Sequence, residues 1–111
     1  MGSSPKMTIP TQLVLRAFLN DPTQEMYGLE ICAAAGLASG TIHPILARFE
    51  GIGWLESHFE DIDPREAARP RRRYYRLTPD GIEHARNALA QAHTKIGALR
   101  GLNPRPAGGA A

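Results

Sequence analysis

Two neighbouring segments restrict what this chain can fold into. Residues 27–59 hold a short apolar run, a break at Gly36, and a second apolar run that opens at Ser39 and ends near Gly53. After a charged loop, the chain continues as RPRRRYYRLTPDG through Gly81. Two helices around a tight turn, followed by two strands around a basic loop, make a helix-turn-helix with a wing, which fits a duplex groove. The sequence therefore predicts a mostly α-helical fold with a small β-hairpin, a winged helix-turn-helix.

Apolar periodicity predicts three helices in the first half of the chain. The first covers residues 9–19 and ends at an Asn-Asp-Pro break. The second begins at residue 24 or 25 and ends at Ala35, with Gly36 as its C-terminal stop. The third has Ser39 as its N-cap and leaves one face free for a ligand. Its opposite face is an apolar stripe for the core, made of Ile42, Ile45, Leu46, Phe49 and Ile52.

The second half predicts a hairpin and one long helix. Residues 54–59 and 73–77 are short and rich in aromatic side chains, and they suit two strands joined by a long mobile loop. Thr78 or Asp80 can cap the helix that follows, and Pro79 suits a first helical position.

The last predicted helix carries the most regular apolar pattern of the chain. Its apolar positions are spaced alternately by three and four residues, as in a coiled-coil seam. The seam extends beyond what a small winged helix can cover, so we expect it to form a homodimer; the alternative is packing on its own domain. The seam residues are Ile82, Ala85, Leu89, Ala92, Ile96 and Leu99.

The chain is long enough for one domain with a small core, which contact with a partner subunit would help to stabilise. With 111 residues, the chain divides into a disordered leader (1–7), a winged helix-turn-helix domain (8–79), a dimerisation helix (80–102) and a disordered Pro- and Gly-containing tail (103–111).

Positive charge is concentrated in one place although the net charge is only +2. Five arginines fall within eight residues, directly after an acidic stretch that starts at Glu60. Such a cluster is a candidate phosphate contact, and Arg71 and Arg72 are the first candidates. The alternatives are a solvated loop and, for Arg73 and Arg76, ion pairs with strand neighbours such as Glu56.

Three short sequences extend this interpretation. They are Tyr-Gly-x-Glu-Ile from Tyr27, Gly-Thr-Ile-x-Pro from Gly40, and Arg-Tyr-Tyr-Arg-Leu-Thr-Pro-x-Gly from Arg73. In this order and spacing, over about residues 13–86, the chain resembles the PadR family of bacterial transcriptional regulators. The resemblance implies a homodimeric repressor that binds a double-stranded DNA operator and responds to a small-molecule effector, whose identity the sequence does not indicate. The chain departs from the family pattern at His43, where Tyr is usual, and in its C-terminal segment, which is a single helix.

The candidate DNA-binding residues lie on three predicted elements. Residues near the start of the third helix are expected at base edges, with Arg48 further along at a phosphate. None is an ideal base reader, so dimer spacing and DNA shape are expected to contribute to specificity. The resemblance implies that Tyr27 contacts a phosphate through its hydroxyl; packing by its ring is compatible with this. The full set is Tyr27, Ser39, Gly40, Thr41, His43, Arg48, Arg69, Arg71, Arg72 and Arg73.

Other functional classes have little support. Histidines, acids and the single Cys32 are scattered without a catalytic or metal-ligand spacing, so we expect no enzyme, cofactor or metal. A metal sensor pairing Cys32 with His84 or His93 across a dimer is the rival site. No apolar run is long enough for a membrane span, and one cysteine suits a reducing cytoplasm. The alternative function is a winged-helix module that binds an acidic protein partner instead of DNA.

Overall fold

This computed structural model describes the backbone of residues 5–102 and the side chains of residues 5–94. Most of the predicted leader and all of the predicted tail lie outside these residues. Met7, which was assigned to the leader, packs against the core, and Gln12 Nε2 donates a 2.7 Å hydrogen bond to its carbonyl. The elements are α1 (Ile9–Leu19), β1 (Met26–Tyr27), α2 (Gly28–Ala35), α3 (Ser39–Gly51), β2 (Leu55–Phe59), α4 (Pro64–Ala67), β3 (Arg73–Leu77) and α5 (Pro79–Leu102).

The turn between α2 and α3 is the one that the sequence predicts. Gly36 adopts the left-handed conformation (φ 71°, ψ 34°), which suits a residue without Cβ, and its N–H donates to Cys32 O at 2.8 Å. The axes of α2 and α3 differ by 107°. This angle is within the range of a helix-turn-helix.

Three predicted helix details are wrong. The second helix begins at Gly28, because Met26 and Tyr27 are extended and pair with Tyr75 and Tyr74 of β3. The N-cap of α3 is Ala38, so Ser39 is already helical and its hydroxyl does not cap the helix. The stripe ends at Phe49, since Ile52 follows the last helical residue and is 46% exposed.

The sheet has three strands in the order β1-β3-β2, all antiparallel. The predicted hairpin is present, with Leu55 opposite Leu77 and Phe59 opposite Arg73. The two-residue strand β1 was not predicted, and it joins the start of α2 to the hairpin. The connecting loop is also more ordered than expected, because it contains the short helix α4, capped by Asp63 and ended by Ala68 in a left-handed conformation.

One core joins α1, α2, α3 and the sheet. The fully buried side chains include Phe18 of α1, Ile31 of α2 and Phe49 of α3. Trp54 stacks on Phe49 with ring centroids 5.1 Å apart, and His84 of α5 also stacks on Trp54, at 5.6 Å. The first turns of α5 are therefore part of the winged domain.

A close backbone contact holds the start of α5. Thr78 N–H donates to Trp54 O at 3.0 Å, and the Thr78 hydroxyl donates to Gly53 O at 2.8 Å. The same hydroxyl accepts the Gly81 N–H at 2.9 Å, which confirms Thr78 as a helix cap. A Cβ on Gly81 would lie 2.0 Å from Trp54 O, so only glycine fits here.

Within residues 5–102, no single helix is long and apolar enough to cross a membrane. Only α2 and α3 taken together reach that composition, and they are bent by 107° relative to each other.

Candidate nucleic-acid interface

The start of α3 presents an exposed polar surface. Ile42, Ile45 and Leu46 anchor one face of this helix in the core. The side chains of Ser39, Thr41, His43 and Arg48 are exposed, as predicted, and Gly40 lies beside them with open space around it. Helix α3 therefore offers short polar side chains at its N-terminal end and a cation further along.

A groove of about 360 Å³ separates the start of α3 from the end of the basic loop. It brings together six of the ten predicted site residues from three elements that are distant in sequence. Gly40, Thr41, Arg48 and Arg73 are not among its lining residues. The lining consists of Tyr27, Gly28, Leu29, Ser39, His43, Arg69, Pro70, Arg71 and Arg72.

Tyr27 lies at the junction of these elements. Its N–H donates to the Glu30 carboxylate at 3.1 Å, which fixes the first turn of α2. Its ring meets Tyr74 edge to face at 5.5 Å, and the Arg72 guanidinium lies 4.3 Å above the ring centroid. The ring is thus a packing surface for a wing arginine, at a distance typical of a cation–π contact.

Two of the predicted wing arginines are engaged in ion pairs. Arg69 donates to both oxygens of Glu60, at 2.7 and 2.9 Å. This pairing, together with the Arg72 N–H, lowers the pKa of Glu60 to about 2. Arg73 donates to both oxygens of Glu50 at 3.1 Å and to the Ser57 hydroxyl at 2.9 Å.

Arg71 and Arg72 have no carboxylate partner within residues 5–94. Arg71 Nε donates to Ile62 O at 2.9 Å, and this residue is exposed at the edge of the groove. Arg72 lies over Tyr27. These two guanidinium groups are therefore the positive charges of the groove that acidic side chains do not neutralise.

The predicted alternative for Arg76 is confirmed. Arg76 donates to Glu56 across the strands at 2.7 Å, and this contact raises the pKa of Arg76. A second cross-element contact was not predicted: His58 Nε2 lies 2.5 Å from the Glu25 carboxylate, and this contact raises the pKa of His58. His58 also stacks on Tyr74 at 6.0 Å, and the Tyr74 ring in turn packs against Tyr27.

A match to a family model covers most of this architecture. The model of the transcriptional regulator PadR-like family matches residues 17–87, which include the helix-turn-helix, the wing and the first turns of α5. The chain belongs to the PadR-like family.

Solved structures share the fold of this PadR-like chain at low sequence identity. A PadR family transcription regulator from Clostridium difficile is 19% identical with a TM-score of 0.67, over 87% of this chain and 100% of that one. BpsR from Bordetella bronchiseptica, whose DNA binding is regulated by 6-hydroxynicotinic acid, is 18% identical with a TM-score of 0.66, over 95% of this chain and 73% of that one. PcaV from Streptomyces coelicolor, solved with its natural ligand, is 23% identical with a TM-score of 0.62, over 87% and 64%. A comparison with curated protein sequences gives no match.

The predicted dimer seam of the PadR-like chain divides into three parts. Ala85 is fully buried in the core of its own chain, so its assignment to a dimer surface is wrong. Ile82 and Leu89 are partly buried against that core, and Ala92 is half-buried. The side chains of Ile96 and Leu99 lie outside the described residues.

The rival metal site pairs Cys32 with His84 or His93 of two different subunits, so a single chain does not test it and it stays a prediction. Cys32 packs against the core and His84 stacks on Trp54. Over the residues searched, His, Cys, Asp and Glu side chains form no group of three that could hold a metal ion.

Sequence reasoning missed Glu60, Tyr74 and Leu29 as neighbours of the site. Glu60 was visible as the start of an acidic stretch, but its pairing depends on a loop returning nine to twelve residues later. Leu29 is exposed beside the groove although it belongs to an apolar run. Leu29 and Ile31 lie two positions apart on α2, so their side chains point to different faces of the helix, and only Ile31 is buried in the core.

Proposed function

We propose that this protein is a sequence-specific DNA-binding transcriptional regulator that represses its target as a homodimer. The observation that carries this proposal is the groove between α3 and the wing, in which unpaired cations face exposed polar side chains. Membership of a transcriptional regulator family supports the same conclusion.

Helix α3 would supply contacts in the major groove. Its first residues are exposed, and helix N-termini are the part of a recognition helix that reaches base edges. Ser39, Thr41 and His43 are candidates for base or phosphate contact, while Gly40 lets the duplex approach the backbone. Arg48, a turn further along the helix, would bind a phosphate.

The wing would bind the phosphate backbone through two arginines. Arg71 and Arg72 keep their guanidinium donors available, whereas Arg69 and Arg73 already donate to carboxylates. Arginine suits this task because its planar donors match phosphate oxygens. We therefore narrow the four predicted wing contacts to these two.

The second half of α5 would form the dimer contact. This helix has 24 residues, hence a length of about 36 Å, and its first turns already pack on the winged domain. The apolar sequence positions that continue the seam are Ala92, Ile96 and Leu99. A homodimer would place two α3 helices at two half-sites of one operator. A small-molecule effector stays a prediction from the family, with no ligand assigned.

Selection of bound genomic fragments with the purified protein would test the proposal and identify the operator. Titrations of the selected duplex at several salt concentrations would then compare the wild type with Arg71→Ala/Arg72→Ala. If both side chains bind phosphate in both subunits, the slope of log affinity against log salt falls by about three to four.

A matched variant separates the effect of net charge on DNA affinity from the effect of direct phosphate contacts. Arg16→Ala/Arg86→Ala removes the same net charge from exposed positions that do not line the groove, so its slope should stay close to that of the wild type. Equal effects of the two double variants would indicate a general charge effect. A wild type that selects no fragment and binds no duplex would contradict DNA binding and favour the protein-interaction alternative.

A further inference from the structure

Glu60 connects the two ends of the wing loop. It follows the last residue of β2, and its backbone N–H donates to Arg72 O at 2.8 Å. One carboxylate oxygen accepts the Arg72 N–H at 3.1 Å, so the backbone of Arg72 is held through both its donor and its acceptor. Arg69 occupies both carboxylate oxygens from the other side, at 2.7 and 2.9 Å.

This carboxylate is more enclosed than most surface acids. Its side chain is 18% exposed, and its hydrogen bonds lower its pKa to about 2, so it is ionised throughout the neutral range. An acidic side chain next to groove-lining arginines would repel phosphate if it were free. Here its charge is matched by Arg69, and the pair presents no net charge to the duplex.

The backbone of Arg72 fixes the point from which its side chain extends, and the Tyr27 ring holds the guanidinium at the other end. With residue 72 fixed by Glu60, the side chain extends over the ring of Tyr27, 4.3 Å from the centroid. Arg71 differs, because its side chain is exposed and makes one hydrogen bond to a loop carbonyl. A long side chain that is already ordered loses less conformational entropy on binding than a free one.

We propose that Glu60 is a positioning residue, which sets the Arg72 guanidinium on Tyr27 so that it meets a DNA phosphate, and that Arg69 acts only by holding Glu60. This inference rests on the proposed DNA binding. It reassigns Arg69 from a phosphate contact to a support, and it makes the Tyr27 ring, rather than its hydroxyl, the functional part of that side chain.

The free protein gives the first test. Side-chain protons of Arg72 that lie over an aromatic ring should be shifted upfield in NMR spectra, and Tyr27→Leu should abolish that shift. We expect Glu60→Ala to reduce it, because the Arg72 N–H loses its acceptor while the backbone N–H of residue 60 still donates to Arg72 O, and we expect Tyr27→Phe to keep it. Glu56→Ala, which removes a carboxylate paired with Arg76 on the same hairpin, is the matched control and should leave the shift in place. A shift of unchanged size in Glu60→Ala would overturn the proposal.

The second test measures coupling in DNA binding. Arg72→Ala should weaken binding by about tenfold or more, as expected for a charged hydrogen bond. Glu60→Ala is made together with Arg69→Ala, so that the net charge is unchanged and no cation is released. This pair variant should weaken binding by at most the same factor, and adding Arg72→Ala to it should weaken binding no further than Arg72→Ala alone. With Arg71→Ala, the effect of the pair variant should multiply, because Arg71 does not depend on Glu60.

The outcomes separate two kinds of failure. Effects of the pair variant and Arg72→Ala that multiply in a protein that binds DNA would overturn the positioning role and leave the proposed function intact. If the effects of the pair variant and Arg71→Ala also failed to multiply, Glu60 would be ordering the whole wing and not Arg72 in particular. That result would overturn the positioning role as well. If the wild type bound no duplex at any salt concentration, the proposed function and the role of Arg72 at a phosphate would both fail.

Discussion

Replacing Gly81 with alanine tests the contact that joins the winged domain to α5. The added Cβ would lie 2.0 Å from Trp54 O and 2.7 Å from Trp54 C. Both are backbone atoms, so no side-chain rotation can relieve the clash. The start of α5 must therefore move away from Trp54 by about 1 Å or more, since a nonbonded Cβ contact below about 3 Å is not tolerated.

The movement has a calculable cost. Overpacking of this kind costs about 1–3 kcal/mol. The Thr78 N–H to Trp54 O hydrogen bond, at 3.0 Å, spans the same gap, and its loss adds about 0.5–1.5 kcal/mol. We expect Gly81→Ala to lower the free energy of unfolding by about 2–4 kcal/mol. The expected change is large beside the total stability of a small domain.

Urea denaturation at a fixed protein concentration measures this change, since dimerisation makes stability concentration-dependent. Gly51→Ala is the matched control. Gly51 lies at the end of α3, and a Cβ there would meet nothing within 4 Å, so this variant should gain about 0.4–1 kcal/mol. If Gly81→Ala stayed within about 0.5 kcal/mol of the wild type, which is the range for uninvolved surface positions, the packing argument would be refuted.

Three further changes test other parts of the molecule. Thr41→Ala and His43→Ala should each lower the ratio of operator to random-duplex affinity, by about 1–3 kcal/mol for a direct base contact; an unchanged ratio in titrations of both duplexes would transfer readout to the wing or to DNA shape. Leu99→Asp should yield a monomer by light scattering, because a charge in an apolar seam is desolvated without a partner; an unchanged dimer mass would place the interface elsewhere. Glu60 has its pKa lowered to about 2, so its stabilising contribution is present above its ordinary value of 4.5 and is lost as pH falls toward 2. Acid titration of wing resonances should show this loss in the wild type and not in Glu60→Gln.

Local signals explain which parts of the fold were predictable. The bounds of α1 follow from periodicity and a Pro-containing break, and the αL conformation of Gly36 follows from the ease with which glycine adopts positive φ. The strand β3 and the Thr78 cap follow from residue types that act on their immediate neighbours. Each of these features depends on interactions within a few residues, which a sequence displays directly.

The exposed surface of α3 was predictable for the same reason. A helix with one apolar face must turn the other face outward, so the sequence placed Thr41 and His43 on the outside without knowledge of their neighbours. Prediction from apolar periodicity fails at the ends of helices. Met26 and Tyr27 are extended because β3 lies beside them, and β3 is more than 45 residues away in the chain.

The roles of the arginines were decided only by tertiary structure. In the sequence, Arg69, Arg71, Arg72 and Arg73 form one uniform basic cluster, and any of them could bind phosphate. In the fold, two of them meet carboxylates and two do not, because the loop returns Arg69 to Glu60 and the sheet places Arg73 beside Glu50. A cluster of charge in a sequence shows where a binding site can be, but which of its arginines are neutralised depends on carboxylates that are distant in the chain. Ala85 is a second example. Its spacing in the sequence matches a dimer seam, and only the fold shows that it is buried in the core of its own chain.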